Sequence, residues 1–255
     1  MKTSTDMSNS RSKPAGRRHV SQPIRDVIAK TISLIRGREP VVMAALLLAV
    51  LGTWGFIELA DEVIEGSTGR FDRWAVERLR QPDDLTRPIG PQWIGEVGRD
   101  LTALGGMAVL TLFILAATGF LYVHGAITRM IVLLLSTTSG IVVSLLMKNF
   151  FDRPRPDVVP HLSEVYTSSF PSGHSMMSAI VYLTLGSLVA PAVKGFWTRV
   201  YVLSCAVLLT GLIGISRVYM GVHYPTDVLA GWSAGLVWAL LCWLIARQLT
   251  PEPSR

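Results

Sequence analysis

The chain has 255 residues, of which half are apolar and only 16% charged, with a formal net charge of +6 and a mean hydropathy of +0.42. That balance points to a membrane protein. It argues against a soluble all-helical protein, whose helices would need polar faces that the apolar stretches here lack. The two cysteines, Cys205 and Cys242, fall inside apolar stretches, where they read as small packing residues rather than a disulfide or a metal site.

Residues 1–40 carry nine Lys or Arg against three acids and contain no apolar core of the kind a signal peptide needs. A disordered or loosely helical tail is expected. A nucleic-acid-binding arm is the competing reading, but a basic segment just before a first span is what sets membrane orientation, so the tail is expected in the cytoplasm with no nucleic-acid partner. Six apolar stretches follow, near Val41–Ile57, Ala103–Val123, Ala126–Met147, Ser175–Val193, Val200–Ile215 and Val228–Ala246. Each approaches the roughly 20 residues that cross a bilayer as a helix. Arg129, near the start of the third, can snorkel to the interface. The fold expected is all-α, a six-transmembrane-helix bundle over residues 41–246 with a short cytoplasmic tail at 247–255. Oligomeric state is not legible.

With the N-terminus inside, loops 61–102, 148–174 and 216–227 would lie outside, and the short basic turns near 124–129 and 194–199 inside. Within the first outside loop, Phe71, Trp74, Ala75 and Leu79 recur at helical spacing among Arg70, Arg73, Glu77 and Arg80. A short interfacial helix is expected there, either guiding a lipid toward a site or merely covering the bundle.

The polar residues gather at helix ends. Lys148 closes the third span, Ser172-Gly173-His174 opens the fourth, Ser216-Arg217 closes the fifth and His223-Tyr224-Pro225-Thr226-Asp227 opens the sixth. All these ends belong to one side, and ionisable groups beside a hydrocarbon core need a ligand or mutual pairing. Cations in excess over one nearby acid suit an anion. Arg offers a planar fork and Lys a compact charge for phosphate oxygens, and a Ser-capped helix start adds free N–H groups, with Gly173 allowing close approach. His223 and Asp227 lie four residues apart, so the carboxylate can fold back on one ring nitrogen and leave the other as a nucleophile. His174 can then protonate a departing alkoxide. Taken singly, each element is ordinary capping, structural pairing or a rigid basic loop; it is their order and shared face that carry the reading. A transporter or scaffold with a basic pocket would not need two histidines and an orienting Asp, and would be expected to place polar groups near the midplane.

The three blocks Lys148-Asn-Phe-Phe-Asp-Arg-Pro-Arg155-Pro156, Pro171-Ser172-Gly173-His174 and Ser216-Arg217 through His223 to Asp227 resemble the type-2 phosphatidic acid phosphatase and vanadium haloperoxidase superfamily. The resemblance spans residues 41 to 246 and matches at every key position. It implies an integral-membrane phosphatase acting on a lipid phosphate or diphosphate, an isoprenyl diphosphate first among them, through a phosphohistidine. Lys148, Arg155 and Arg217 would bind phosphate oxygens with Ser172 and the Gly173 N–H. His223 would attack phosphorus, Asp227 orient it and His174 protonate the leaving group. No cofactor or metal is implied, and the sequence lacks the Asp/Glu cluster that would hold magnesium. The implied partners are a lipid phosphate and the bilayer, with the site on the outer face of the plasma membrane. Six apolar spans argue against the soluble haloperoxidase branch, whereas a lipid phosphotransferase would use the same residues. Arg153 is an additional cation with two open readings, binding a second phosphate or facing water. More loosely, Asp100-Leu101-Thr102-Ala103-Leu104-Gly105-Gly106 is similar to the entry to the second span in bacterial-type members.

Overall fold

The computed structural model describes residues 40–157 and 168–249. The basic tail expected over 1–40 therefore lies outside the described residues except for Pro40, as do residues 158–167 and the C-terminal tail beyond 249. In chain order the elements are α1 (Pro40–Ile64), α2 (Gly69–Glu77), β1 (Arg80–Gln81), β2 (Asp84–Pro88), α3 (Gln92–Ala103) and α4 (Met107–Val123). They continue with α5 (Ile127–Phe150), α6 (Gly173–Val189) and its 3-10 extension (Ala190–Ala192), α7 (Phe196–Tyr219) and α8 (Pro225–Leu249).

Five helices, α1, α5, extended α6, α7 and α8, are long and apolar enough to cross a membrane. The sixth expected span is built differently. At 17 residues α4 alone reaches about 26 Å, short of a hydrocarbon core of about 30 Å, and it continues from α3 across a 50° bend at Leu104-Gly105-Gly106. Gly125 and Gly195 take left-handed φ values of 66° and 89° in the tight turns after α4 and before α7, a conformation that costs glycine little.

α6 is the axis of the bundle. Ten of its residues, from Ser175 to Gly186, are buried on successive faces, whereas the other spans leave large apolar side chains such as Leu47, Trp54, Leu112, Leu135 and Val207 exposed as lipid-facing surface. A helix apolar all round belongs in the centre, and α6 packs against α5, α7 and α8. Close approach to α8 depends on a small-residue stripe: a Cβ on Gly231 would stand 2.7 Å from the Ser172 carbonyl oxygen, and one on Gly235 2.6 Å from that of Met176. Phe56 of α1 packs against Phe170 and Phe151 with ring centroids 6.0 and 6.4 Å away.

The first outside loop contains more than the expected surface helix. α2 forms, with Phe71 and Trp74 outward at 53% and 55% exposure and Asp72 and Val76 buried. It ends at Glu77, and Leu79 and Arg80, expected on the same helix, lie beyond it. The Pro82-Asp83 pair turns the chain into an antiparallel hairpin in which Arg80 faces Pro88 and Gln81 faces Asp84. Arg80 is thereby buried, not solvated, and its guanidinium donates to the Tyr219 carbonyl at the end of α7, satisfying an acceptor that the helix leaves open.

Candidate active site

Four helix ends meet at one place. The N–H of Ser172, N-cap of α6, donates to the main-chain carbonyl of Asp227 in the first turn of α8 at 2.9 Å, so the two helix starts are fastened together. The Ser172 hydroxyl accepts from the Ser175 N–H at 3.4 Å and from the Ser175 hydroxyl at 3.0 Å, which is the capping expected of this residue. The α5 terminus contributes Lys148, whose Nζ lies 3.3 Å from where a Gly173 Cβ would be, so the ammonium sits over the glycine at the start of α6. The α7 terminus contributes Arg217, whose Nη1 donates to Thr102 at the end of α3 at 3.0 Å. Its Nε is buried with no hydrogen-bond partner among the described residues.

His223 sits between them, 1% exposed. Its Nδ1 is 3.4 Å from Asp227 Oδ2 and 3.3 Å from the Ser169 hydroxyl, which itself donates to Oδ2. The Tyr224 N–H donates to the same oxygen at 2.9 Å. Burial, which disfavours the imidazolium, is the main influence on this ring, lowering its pKa to about 4; Asp227 opposes that shift, and the positive charges of Arg217 and Arg155 reinforce it. His223 is therefore neutral near pH 7, with Nδ1 turned toward Asp227 and Nε2 away from it.

The second histidine is held against the α3–α4 bend. Its Cδ2 lies 3.4 Å from where a Gly105 Cβ would stand, and its Nε2 4.0 Å from the corresponding point on Gly106. Lys148, Arg155, Arg217 and His223 all act electrostatically on His174, so the eight residues singled out by sequence, His223, Asp227, His174, Lys148, Arg155, Ser172, Gly173 and Arg217, converge on one region. Burial lowers the pKa of Arg155, with the Asp227 carboxylate opposing the shift.

Arg153 faces neither water nor a further anion as its main partner. Its Nη1 donates to Asp227 Oδ1 at 2.5 Å and to the Thr226 hydroxyl at 2.8 Å, while Nη2 donates to Asp72 Oδ2 at 2.6 Å. Burial works against its charge, but the two carboxylates outweigh that and hold its pKa above the ordinary value. The sequence reading credits the region with one acid; with Asp72 there are two, and Arg153 is engaged by both. Lys148, Arg155 and Arg217 are the further cations gathered at these helix ends. Sequence reasoning missed Asp72, Ser169, Thr226 and Thr102. The available signals were an acid on the apolar side of an amphipathic turn and a serine three residues before the α6 cap.

Comparison with known proteins bears on the family of the chain. The family profile described as the PAP2 superfamily matches residues 128–251. Phosphatidylglycerophosphatase B of Bacillus subtilis is 32% identical over 196 residues, covering 75% of this chain and 86% of that protein. An undecaprenyl-diphosphatase of Sulfolobus acidocaldarius is 39% identical over only 67 residues, 26% of this chain and 28% of that protein. The crystal structure of a transmembrane PAP2-type phosphatidylglycerolphosphate phosphatase from Bacillus subtilis superimposes with a TM-score of 0.70 at 27% identity, covering 80% of this chain and 98% of that one. With the motif blocks gathered at one end of a membrane-spanning helical bundle, and a relative matched over most of its length, the chain belongs to the PAP2 superfamily, among its membrane lipid phosphatases.

Proposed function

We propose that the protein hydrolyses a phosphate monoester at the headgroup of a glycerolipid of the phosphatidylglycerol phosphate kind, through a phosphohistidine on His223. The observation that carries the chemistry is the buried His223 with Nδ1 directed to Asp227, at helix ends that also bring Lys148, Arg155 and Arg217 together. The long match to phosphatidylglycerophosphatase B favours this substrate class. An isoprenyl diphosphate such as undecaprenyl diphosphate is the second reading, favoured by the shorter but more identical match to an undecaprenyl-diphosphatase.

In the first step the Nε2 lone pair of His223 attacks phosphorus. The bond from phosphorus to the lipid oxygen breaks with its electron pair on that oxygen, and His174 delivers the proton. Phosphate dianion beside His174 favours its imidazolium, because a neighbouring opposite charge stabilises the charged form. Lys148, Arg155 and Arg217, with the Ser172 hydroxyl and the Gly173 N–H at the start of α6, stabilise the charge on the equatorial oxygens. In the second step water attacks the phosphohistidine, His174 takes its proton, and the P–N bond breaks to regenerate His223. A phosphotransferase would differ only in the acceptor of this second step.

With the basic tail in the cytoplasm, six spans bring the site to the outer face, where a lipid stays in the bilayer while its phosphate enters. The exposed Phe71 and Trp74 on α2 suit that interface. The test is inorganic phosphate released in EDTA by detergent-purified protein from phosphatidylglycerol phosphate, phosphatidate and undecaprenyl diphosphate, with and without vanadate. Vanadate-sensitive release without added metal, greatest from the glycerolipid monoester, is the expected result. Preference for the diphosphate moves the second reading ahead, and a phosphorylated lipid acceptor in place of free phosphate contradicts hydrolysis.

A further inference from the structure

The contact between α2 and the catalytic end of α8 is ionic where an apolar one would serve. Val76 already anchors α2 as a buried apolar side chain, yet the helix also inserts Asp72, with no exposed surface at all, beside a second fully buried carboxylate, Asp227. Taking two carboxylates and a guanidinium out of water is costly, and such clusters are poor devices for stability alone. Asp72 Oδ1 accepts from the Thr226 N–H at 3.2 Å, and Oδ2 accepts from the Thr226 hydroxyl at 2.6 Å and from Arg153 Nη2 at 2.6 Å. The remaining arm of Arg153, Nη1, donates to the Thr226 hydroxyl and, of the two Asp227 oxygens, to Oδ1 alone.

That division decides which oxygen of Asp227 is available. A guanidinium facing a lone carboxylate takes both oxygens with its parallel N–H groups. Here the second arm is held by Asp72, so Arg153 occupies Oδ1 and Oδ2 is left to Ser169, the Tyr224 N–H and the His223 ring. We infer that Asp72 is a positioning residue: by holding one arm of Arg153 it keeps Oδ2 of Asp227 for His223 and so sets the nucleophile. The inference rests on His223 and Asp227 being the catalytic pair. Asp72 lies on the helix whose flanking Phe71 and Trp74 stand outward, so the seating of α2 and the setting of the nucleophile are one contact.

The test is steady-state kinetics of full-length Asp72→Ala, Asp72→Asn and the double variant Asp72→Ala/Arg153→Met, with vanadate inhibition measured on each. Glu77→Gln, exposed on the same helix, is the control expected to match wild type. Loss of Asp72 frees Arg153 to take Oδ2, so kcat is expected to fall about 10- to 100-fold while KM and the vanadate inhibition constant stay within about twofold. Removing Arg153 as well lifts the competition, so the double variant is expected to recover part of the lost kcat. Asp72→Asn keeps the side chain's size and carries the test if the alanine variant does not fold. Unchanged kcat, parallel loss of vanadate affinity, or no recovery in the double variant each overturns the inference. His223→Ala, assayed alongside, separates the two failures: full phosphate release by that variant overturns the catalytic assignment itself, whereas an inactive His223→Ala beside a wild-type Asp72→Ala overturns only the role of Asp72.

Discussion

Asp227 is the residue on which most of the site depends, because its two oxygens serve different partners: Oδ1 the guanidinium of Arg153, Oδ2 the ring of His223 with Ser169 and the Tyr224 N–H. On the proposed mechanism, His223→Ala removes the nucleophile, and phosphate release is expected to fall by roughly 10³-fold or more. Arg217→Ala removes one fork at a buried position, and kcat/KM is expected to drop by about 2–4 kcal/mol in transition-state terms. Arg217→Lys should recover little of this, since an ammonium cannot reproduce the fork. The pH dependence has a definite sign. Burial depresses the His223 pKa to about 4, so the neutral form persists below the ordinary histidine range and the ring is expected to take up a proton only as pH drops through about 4. A His223 ring signal in an NMR titration of the free protein, assigned by its loss in His223→Ala, that titrates near the unperturbed value of about 6.5 would contradict the buried, neutral assignment. Residues with distinctive chemistry at helix ends were legible from the sequence, and the structure gathers them. Asp72 was passed over: among Arg70, Arg73 and Glu77 it looks like one more solvated charge, and only its place on the apolar side of the turn signalled that the fold buries it.

At the scale of elements, the pairing of α6 with α8 governs the pocket, since Ser172 at the head of one helix is bonded to the Asp227 carbonyl at the head of the other. Gly231→Ala would place a methyl 2.7 Å from the Ser172 carbonyl oxygen and 2.9 Å from the Ser175 Cβ. It is expected to lower thermal stability by about 1–3 kcal/mol and to reduce kcat by displacing the cap. Gly211→Ala, where no atom lies within 4 Å of the new methyl, should be neutral or stabilise by up to about 1 kcal/mol through helix propensity. Detergent melting curves of both variants check the pair, and equal effects would contradict the close approach. Five of the spans could be located from runs of apolar residues alone. The second was located at its apolar half, α4, but its bend at Leu104-Gly105-Gly106 and its first half, α3, which carries Glu96, Arg99 and Asp100, were not legible. The hairpin was equally hidden: its strands are two and five residues long and lack alternating apolar character.

For the whole molecule, the helical bundle does two things with one arrangement. It offers apolar flanks to lipid along α1, α4, α5 and α7, and it holds at one end a buried polar cluster assembled from α2, α5, α6, α7 and α8. Membrane class and family were legible in composition and motif spacing, whereas the choice among lipid phosphates is not, because on the proposed mechanism the motif residues would meet only the phosphate. Specificity on this account belongs to the surfaces around it, the α2–hairpin–α3 loop above all. The central claim is that phosphate passes through His223, and rapid alkaline quenching tests it most directly. Protein turning over a lipid labelled in its phosphate, in EDTA, is quenched within one turnover and its peptides are mapped. The account predicts alkali-stable, acid-labile label on the peptide containing His223, absent from His223→Ala. Label on another residue, or wild-type phosphate release by His223→Ala, would contradict it.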